Sequence, residues 1–329
     1  MTTLLSVSHL TTTFATGQGV ARAVDDLSFD LAQGETLALV GESGCGKTVT
    51  ALSVLRLLPE PPAEIARGSR VLFDGTDLLR LPPRELRRVR GAEIAMIFQE
   101  PSTSLNPVLK VGTQIAETLR AHRKITRKAA RDRSVELLEL VGIPDAGARF
   151  DSYPHELSGG MQQRVMIAIA LSCNPRVLIA DEPTTALDVT VQAEILELLT
   201  ALQRRFGMAM ILITHDLGVV AGMTDRIAVM YGGQIVEEAP TEELFHRPRH
   251  PYTQALLRAV PRIDRPVERL AVVPGSVPPA TQWPTGCRFH PRCPSSWDRC
   301  VAEHPGMLEA RVGHAARCWL IEEPERGSR

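Results

Sequence analysis

The stretch Gly41-Glu42-Ser43-Gly44-Cys45-Gly46-Lys47-Thr48 decides the fold. It fits G-x-x-x-x-G-K-[ST], a loop that cradles phosphate groups. Thr36-Leu37-Ala38-Leu39-Val40 precedes it as an apolar run and predicts a buried strand. Val49 to Leu55 follows and predicts a helix. The chemistry needs this order. Glycines let the backbone curl until successive N–H groups face one phosphate. The new helix then adds its positive end. Lys47 can reach the β- and γ-phosphates, and Thr48 can offer a hydroxyl to Mg²⁺.

The 329 residues suffice for one large domain and a smaller one, or for two domains. A hydrophobic content of 44% and a charged content of 23% are those of an ordinary globular chain. The net charge of −1 gives no case for nucleic-acid binding. No apolar run approaches the ~18 residues of a membrane span. The opening Met1-Thr2-Thr3-Leu4-Leu5 lacks a basic region followed by a long apolar core. A cytosolic protein is expected, with any membrane attachment arriving through a partner. Cys45 and Cys173 stand alone, whereas Cys287, Cys293, Cys300 and Cys318 crowd the last part of the chain. In the cytosol such a group suggests a metal before disulfides.

Outward from the loop, strands are predicted at Leu5-Ser6-Val7 and Leu27 to Leu31, with glycines between them as turns. Phe14, between the first strand and the first turn, could stack on an adenine ring or simply fill a core. A strand at Val71-Leu72-Phe73, an Asp74-Gly75 turn and a short helix after Pro82-Pro83 come next, then a strand at Ile94 to Phe98. Gln99 follows that strand directly. Ligands of open parallel sheets sit beyond the carboxyl ends of strands, so Gln99 stands where a polar side chain would meet Mg²⁺ or water. Residues 107–173 are predicted mostly helical, most clearly at Val111 to His122 and Arg127 to Val141. Ser158 reads as the N-cap of a further helix, and Gly159 and Gly160 behind it bare that helix's first N–H groups to an anion.

Val177 to Ala180 is a continuous apolar run and predicts a strand buried on both faces. It delivers Asp181 and Glu182 to its carboxyl end. One carboxylate can hold Mg²⁺, and the next can orient and deprotonate an attacking water. Adjacent acids ending a buried strand are costly unless they bind something. A loop containing Asp188 leads to a helix from Val191 to Gln203. Another buried strand, Met208 to Ile213, ends at Thr214-His215-Asp216, where the His215 ring could contact a γ-phosphate. Ile227 to Met230 and Gln234 to Glu237, split by Gly232-Gly233, predict a hairpin.

The phosphate loop, Gln99, Leu157-Ser158-Gly159-Gly160, Asp181-Glu182, Asp188 and His215 occur in the order and spacing of ABC-type ATPase domains, which residues 4–240 resemble. The resemblance implies an α/β fold: a RecA-like P-loop ATPase core with an antiparallel β flank, an inserted helical subdomain at about 107–173 and a small C-terminal extension. It implies two cassettes closing head to tail around two ATP molecules, each site pairing one chain's loop (Gly41, Ser43, Gly44, Cys45, Gly46, Lys47, Thr48) with the other's Ser158, Gly159 and Gly160. In that pattern Phe14 resembles the adenine-stacking aromatic, and Gln99 the loop that senses Mg²⁺ and the membrane partner. Asp181 resembles the Mg²⁺-associated acid, Glu182 the catalytic base, Asp188 the dimer contact and His215 the γ-phosphate switch. Met161 stands where Gln is commoner, and Cys45 where Ser is usual.

Residues 241–329 fall outside this pattern. Thr241 to Phe245 predicts a capped helix, His250-Pro251-Tyr252-Thr253 starts another, and Pro274, Pro278, Pro279 and Pro284 predict an extended wrapping segment. Four thiolates suit tetrahedral Zn²⁺ or an iron–sulfur cluster, and without a C-x-x-C the spacing does not choose. Gly286-Cys287-Arg288-Phe289-His290-Pro291-Arg292-Cys293-Pro294, the His250 run and Gln99 to Pro107 resemble the ATP-binding subunits of oligopeptide/dipeptide permeases. That family implies a 4Fe–4S cluster on Cys287, Cys293, Cys300 and Cys318 in preference to Zn²⁺. It also implies a second ATPase subunit in a heterodimer, two membrane permease subunits and, indirectly, an extracellular substrate-binding protein, with the chain on the cytoplasmic face of the membrane. Nickel, opine and glutathione importers share the pattern. A soluble ABC ATPase acting on ribosomes or DNA is the other class; it usually carries two cassettes in one chain, or a long insertion between the loop and the acids.

Overall fold

The computed structural model describes residues 2–185, 187–260 and 273–328. The chain divides into two compact units. One comprises Thr3–Leu31, Thr36–Leu79 and the chain from Ile213 onward; the other comprises Thr2, Ala32–Glu35 and Arg80–Leu212.

The first unit, which carries the phosphate loop, starts with two long strands, β1 (Thr3–Thr16) and β2 (Gly19–Ala32). Their alternating burial is that of strands with one face on a core. Next come β3 (Thr36–Val40), α1 (Lys47–Val54), and the short strands β4 (Ala63–Ile65), β5 (Arg70–Phe73) and β6 (Thr76–Asp77). The order β2-β1-β5-β6, with β4 also on β1, makes an antiparallel flank. Phe14 lies inside β1, opposite Ala63, and not between strand and turn as its position in the sequence suggests. All five residues of β3 are buried, as its apolar run predicts.

The second unit opens with α2 (Pro83–Val89) and β7 (Ile94–Ile97). α3 (Pro101–Ser104) comes next, ahead of the predicted helical stretch, which contains α4 (Val111–His122), α5 (Arg127–Leu140), α6 (Ala146–Arg149) and α7 (Gly159–Leu171). Thr126 caps α5 by accepting from the Ala129 N–H. Then follow β8 (Val177–Asp181), α8 (Val189–Phe206) and β9 (Ala209–Thr214). β7 runs parallel to β8, pairing Ile97 with Ala180, and β9 flanks β8 on its other side. Every residue of β8 and β9 is buried, as continuous apolar runs require of two-sided strands.

The chain returns to the first unit with α9 (Leu217–Val220) and the hairpin β10 (Arg226–Tyr231) and β11 (Gln234–Pro240). β10 lies parallel to β3 and antiparallel to β11. α10 (Thr241–His246) has Pro240 as its N-cap and no side-chain cap; the Thr241 hydroxyl bonds the Thr224 carbonyl at 2.8 Å instead. α11 (Pro251–Ala259) is capped by the His250 ring, which accepts from the Tyr252 N–H at 3.1 Å. The proline segment holds no helix or strand from 274 to 284 and lies along β2, where Arg22 bonds Ala280 through its N–H and Trp283 through its carbonyl, each at 2.9 Å. α12 (Asp298–Ala302), β12 (Leu308–Arg311) and β13 (His314–Ala316) complete the tail, and β13 extends the hairpin by pairing with β11.

Tyr231, Tyr252 and Phe289 form the aromatic centre of the first unit's core, with ring centroids 4.7–5.3 Å apart. Val40, Val229 and Leu244 pack in the same cluster. The tail is thus part of the core beneath the phosphate loop. A buried carboxylate fastens it: Glu237 of β11 accepts from the Arg249 N–H at 2.6 Å, the His250 N–H at 2.9 Å and bonds the His314 ring at 2.7 Å. Burial alone would raise the Glu237 pKa; the donors around it, His314 first, hold it below the usual carboxylate range.

Candidate functional site

In the first unit β3 ends at Val40 and the chain turns through Gly41–Gly46 into α1. Two glycines are required by geometry. A Cβ on Gly41 would fall 2.2 Å from the Met230 carbonyl oxygen. Gly46, the N-cap of α1 at φ 105°, would bring a Cβ to 2.5 Å from the Ala23 carbonyl oxygen. No side-chain hydrogen bond caps α1, whose start presents the positive end of the helix dipole. Ser43 and Gly44 are exposed, and the Cys45 side chain is buried against the loop, with burial pushing its thiol pKa up. Lys47 is only 5% exposed, yet its ammonium is satisfied by the carbonyls of Gly41 (2.7 Å) and Glu42 (3.1 Å). Thr48 is half-buried in the first turn of α1.

Phe14 shares a face of β1 with Thr12, whose hydroxyl meets Ser53 of α1 at 2.8 Å. The aromatic is thereby directed to the side of the flank on which the loop's helix packs. His215 follows β9 directly and is exposed; the next residue, Asp216, caps α9 through the Gly218 N–H at 2.7 Å.

In the second unit the parallel register of β7 and β8 places Gln99 and Glu182 each two residues past the last paired residues, Ile97 and Ala180. The structure brings these two together: Gln99 Nε2 donates to Glu182 Oε2 at 3.2 Å, and the Thr185 hydroxyl donates to the same oxygen at 2.9 Å. Glu182 sits at φ 43°, a strained backbone for a side-chain-bearing residue. Asp181 is 1% exposed at the last position of β8. Ser158 is the N-cap of α7 as predicted, accepting from the Met161 N–H at 3.3 Å. Gly160 is needed because a Cβ there would lie 2.8 Å from Val191 Cγ1 on α8. Asp188 caps α8, accepting from the Val191 N–H at 3.0 Å, and remains exposed.

The four tail cysteines are free and line one small cavity with His250, Phe289, His290, Trp297 and Trp319. Gly286, at φ 65°, lets Cys287 N–H reach the Cys300 carbonyl at 2.8 Å. Burial pushes all four thiols up, Cys293 to about 11 and Cys318 to about 12, and drives the His250 ring down to about 4. The donor chemistry suits a thiophilic metal group, although among the described residues no group of three or more His, Cys, Asp or Glu is arranged to hold a metal ion.

Sequence reasoning missed what grips the loop from the tail. Arg292 makes a two-pronged bond to the Glu42 carboxylate at 2.7 and 3.0 Å, and the Tyr252 hydroxyl accepts from the Glu42 N–H at 2.9 Å. Arg288 similarly bonds Asp25 and the Gly232 carbonyl. No local pattern marks these pairs; the only sequence hint is that each arginine adjoins a cysteine.

Two protein-family models match the chain: "ABC transporter" over residues 24–185, and "Oligopeptide/dipeptide transporter, C-terminal region" over residues 236–300. The chain is 50% identical to the dipeptide transport ATP-binding protein DppD of Bacillus subtilis, over 98% of this chain and 96% of that one. It is 51% identical to the oligopeptide transport ATP-binding protein AppD of the same organism, over 98% of each. The Escherichia coli DppD is 50% identical over 96% of each chain. Among solved structures, the dimeric post-hydrolysis state of the ATP-binding cassette MJ0796 bound to ADP and Pi matches with a TM-score of 0.65 at 27% identity, covering 72% of this chain and 98% of that one.

Proposed function

Because the chain belongs to the ABC transporter ATP-binding family, in its oligopeptide/dipeptide branch, we propose that it is the ATP-hydrolysing subunit of an importer for di- or oligopeptides. The cassette fold is RecA-like and the activity is that of a transport-coupled ATPase. The single observation that carries the reading is the glycine-built loop, held so closely by Met230 and Ala23 that only glycine fits, with a buried lysine at the uncapped start of α1. No helix among the described residues is long and apolar enough to cross a membrane; the likeness to dipeptide and oligopeptide transport ATP-binding proteins supports a solute passage in separate permease subunits.

In this reading residues 1–240 form the ATPase cassette and 241–329 the extension. The loop from Gly41 to Thr48 wraps the phosphates, Thr48 and Asp181 hold Mg²⁺, and Phe14 stacks on the adenine. Glu182 takes the proton from the attacking water. Its fixed distance from Gln99 supports a paired role: the amide orients the carboxylate and the Mg²⁺ shell together. His215 meets the γ-phosphate. The Ser158–Gly160 helix start and Asp188 face a second cassette, most simply a different subunit, and an extracellular binding protein delivers the peptide. The chain works at the cytoplasmic face of the membrane, bound through its permeases.

The cysteine cavity holds a structural 4Fe–4S cluster. Four free thiols lining one cavity support a thiophilic group held by Cys287, Cys293, Cys300 and Cys318, and the preference for 4Fe–4S over zinc rests on the resemblance to the permease family. Co-purification tests the whole: permease subunits as partners and magnesium-dependent ATP turnover are expected, while ribosomes or DNA as partners would overturn the transport reading. Brown protein with iron and sulfide is expected; colourless protein with stoichiometric zinc would reverse the cluster assignment.

A further inference from the structure

The loop that must hold a polyanion carries a carboxylate at its second position, Glu42. A lone negative charge there opposes nucleotide binding. The structure answers it with Arg292, a residue far along the chain whose side chain is 4% exposed. Both oxygens of Glu42 accept from its guanidinium. The rest of the guanidinium is fixed: it donates to the Pro274 carbonyl at 2.6 Å, the Val273 carbonyl at 3.3 Å and the Tyr231 hydroxyl at 3.4 Å. Tyr231 ends β10, the strand parallel to β3. Tyr252, whose hydroxyl takes the Glu42 N–H, packs on Tyr231 in the same core.

We propose that Arg292, assisted by Tyr252, is a charge-masking and positioning residue of the nucleotide site: it cancels the field of Glu42 and holds the start of the loop in shape when nucleotide enters. Lys47 bonds the carbonyls of Gly41 and Glu42. Reaching a phosphate requires its ammonium to leave them; the Cys45 N–H still bonds the Glu42 carbonyl at 3.3 Å, and further support comes from outside the loop. The tail supplies it to Glu42 on both its side chain and its N–H. The C-terminal extension is therefore a functional part of the nucleotide site. This rests on the loop's being the ATP site.

An unmasked carboxylate about 10 Å from a magnesium-bound triphosphate of net charge about −2, at an effective dielectric of about 40, weakens binding about tenfold. The test uses the full-length chain and a fluorescent N-methylanthraniloyl ATP with Mg²⁺. R292M is expected to weaken binding about tenfold, with the loss shrinking at high salt, and R292K to retain most of the affinity. The double variant E42Q/R292M is expected to recover to within about threefold of wild type, because the charge needing a mask is gone. A purely structural role predicts the reverse, since the double variant lacks the same bonds. Unchanged affinity in folded R292M, or no recovery in the double variant, overturns the proposal. Should R292M not fold, E42Q alone decides: binding at least as tight as wild type is expected, and weaker binding refutes the masking. A wild-type chain with no nucleotide affinity would instead defeat the ATP-site reading, and this proposal with it.

Discussion

Glu182→Gln separates chemistry from structure more sharply than any other change in this chain. Glu182 Oε2 accepts two bonds, from Gln99 Nε2 and the Thr185 hydroxyl. A glutamine keeps an acceptor oxygen of the same size in the same place, so both donors stay satisfied. The cost to stability is the lost charge assistance of two half-exposed bonds, about 1 kcal/mol in all. What the amide cannot do is take a proton. Positioned general bases contribute about 10²- to 10⁴-fold, which converts to roughly 3–5 kcal/mol of barrier. The expected signature is thus a collapse of phosphate release by that factor, with ATP affinity and melting temperature nearly unchanged. Steady-state turnover in the complex with permeases, alongside direct nucleotide binding, measures both. Turnover within about threefold of wild type would remove Glu182 from the base role and return its strained φ of 43° to a purely structural cause.

Gly46→Ala should weaken nucleotide binding at least tenfold; its Cβ would meet the Ala23 carbonyl at 2.5 Å at a φ that costs about 1–3 kcal/mol, and titration with nucleotide reads the loss. Glu237→Ala should release the tail, at a cost of about 3–5 kcal/mol, because it strands the buried His314 ring, the buried His250 N–H and the part-buried Arg249 N–H; limited proteolysis and thermal melting report it. The pH sign follows from the depressed carboxyl: the Glu237 contribution is complete above the ordinary value of 4.5 and is lost as pH falls through the lower folded value. Wild type should therefore lose tail protection in acid, and Glu237→Gln should lose that part of its pH dependence.

What could be foreseen divides along sequence distance. β3, β8 and β9 were legible because two-sided burial writes itself as unbroken apolar runs, and the acids after β8 stand out against that run. The caps at Ser158 and Thr126 were within reach because capping is local, settled within three residues. The cap expected at Thr241 failed for a tertiary reason: Thr224 competes for its hydroxyl from β10's approach. β4, β12 and β13 carry no strong pattern, since short strands borrow their stability from the partners β1 and β11. Beyond these lies a class of information that local patterns do not contain. Arg292 and Tyr252 act on Glu42 only because the tail folds back onto β10 and β11, and an arginine beside a cysteine predicts a metal loop sooner than a phosphate loop. The tail's remoteness in sequence from the loop hides its nearness in the core: the aromatic cluster of Tyr231, Tyr252 and Phe289 joins β10, α11 and the first cysteine loop into one packed body. A packed body transmits displacement, because its side chains have no free volume in which to absorb it. Anything that disorders the cysteine loop must therefore move Arg292, and through it the residue that opens the nucleotide loop.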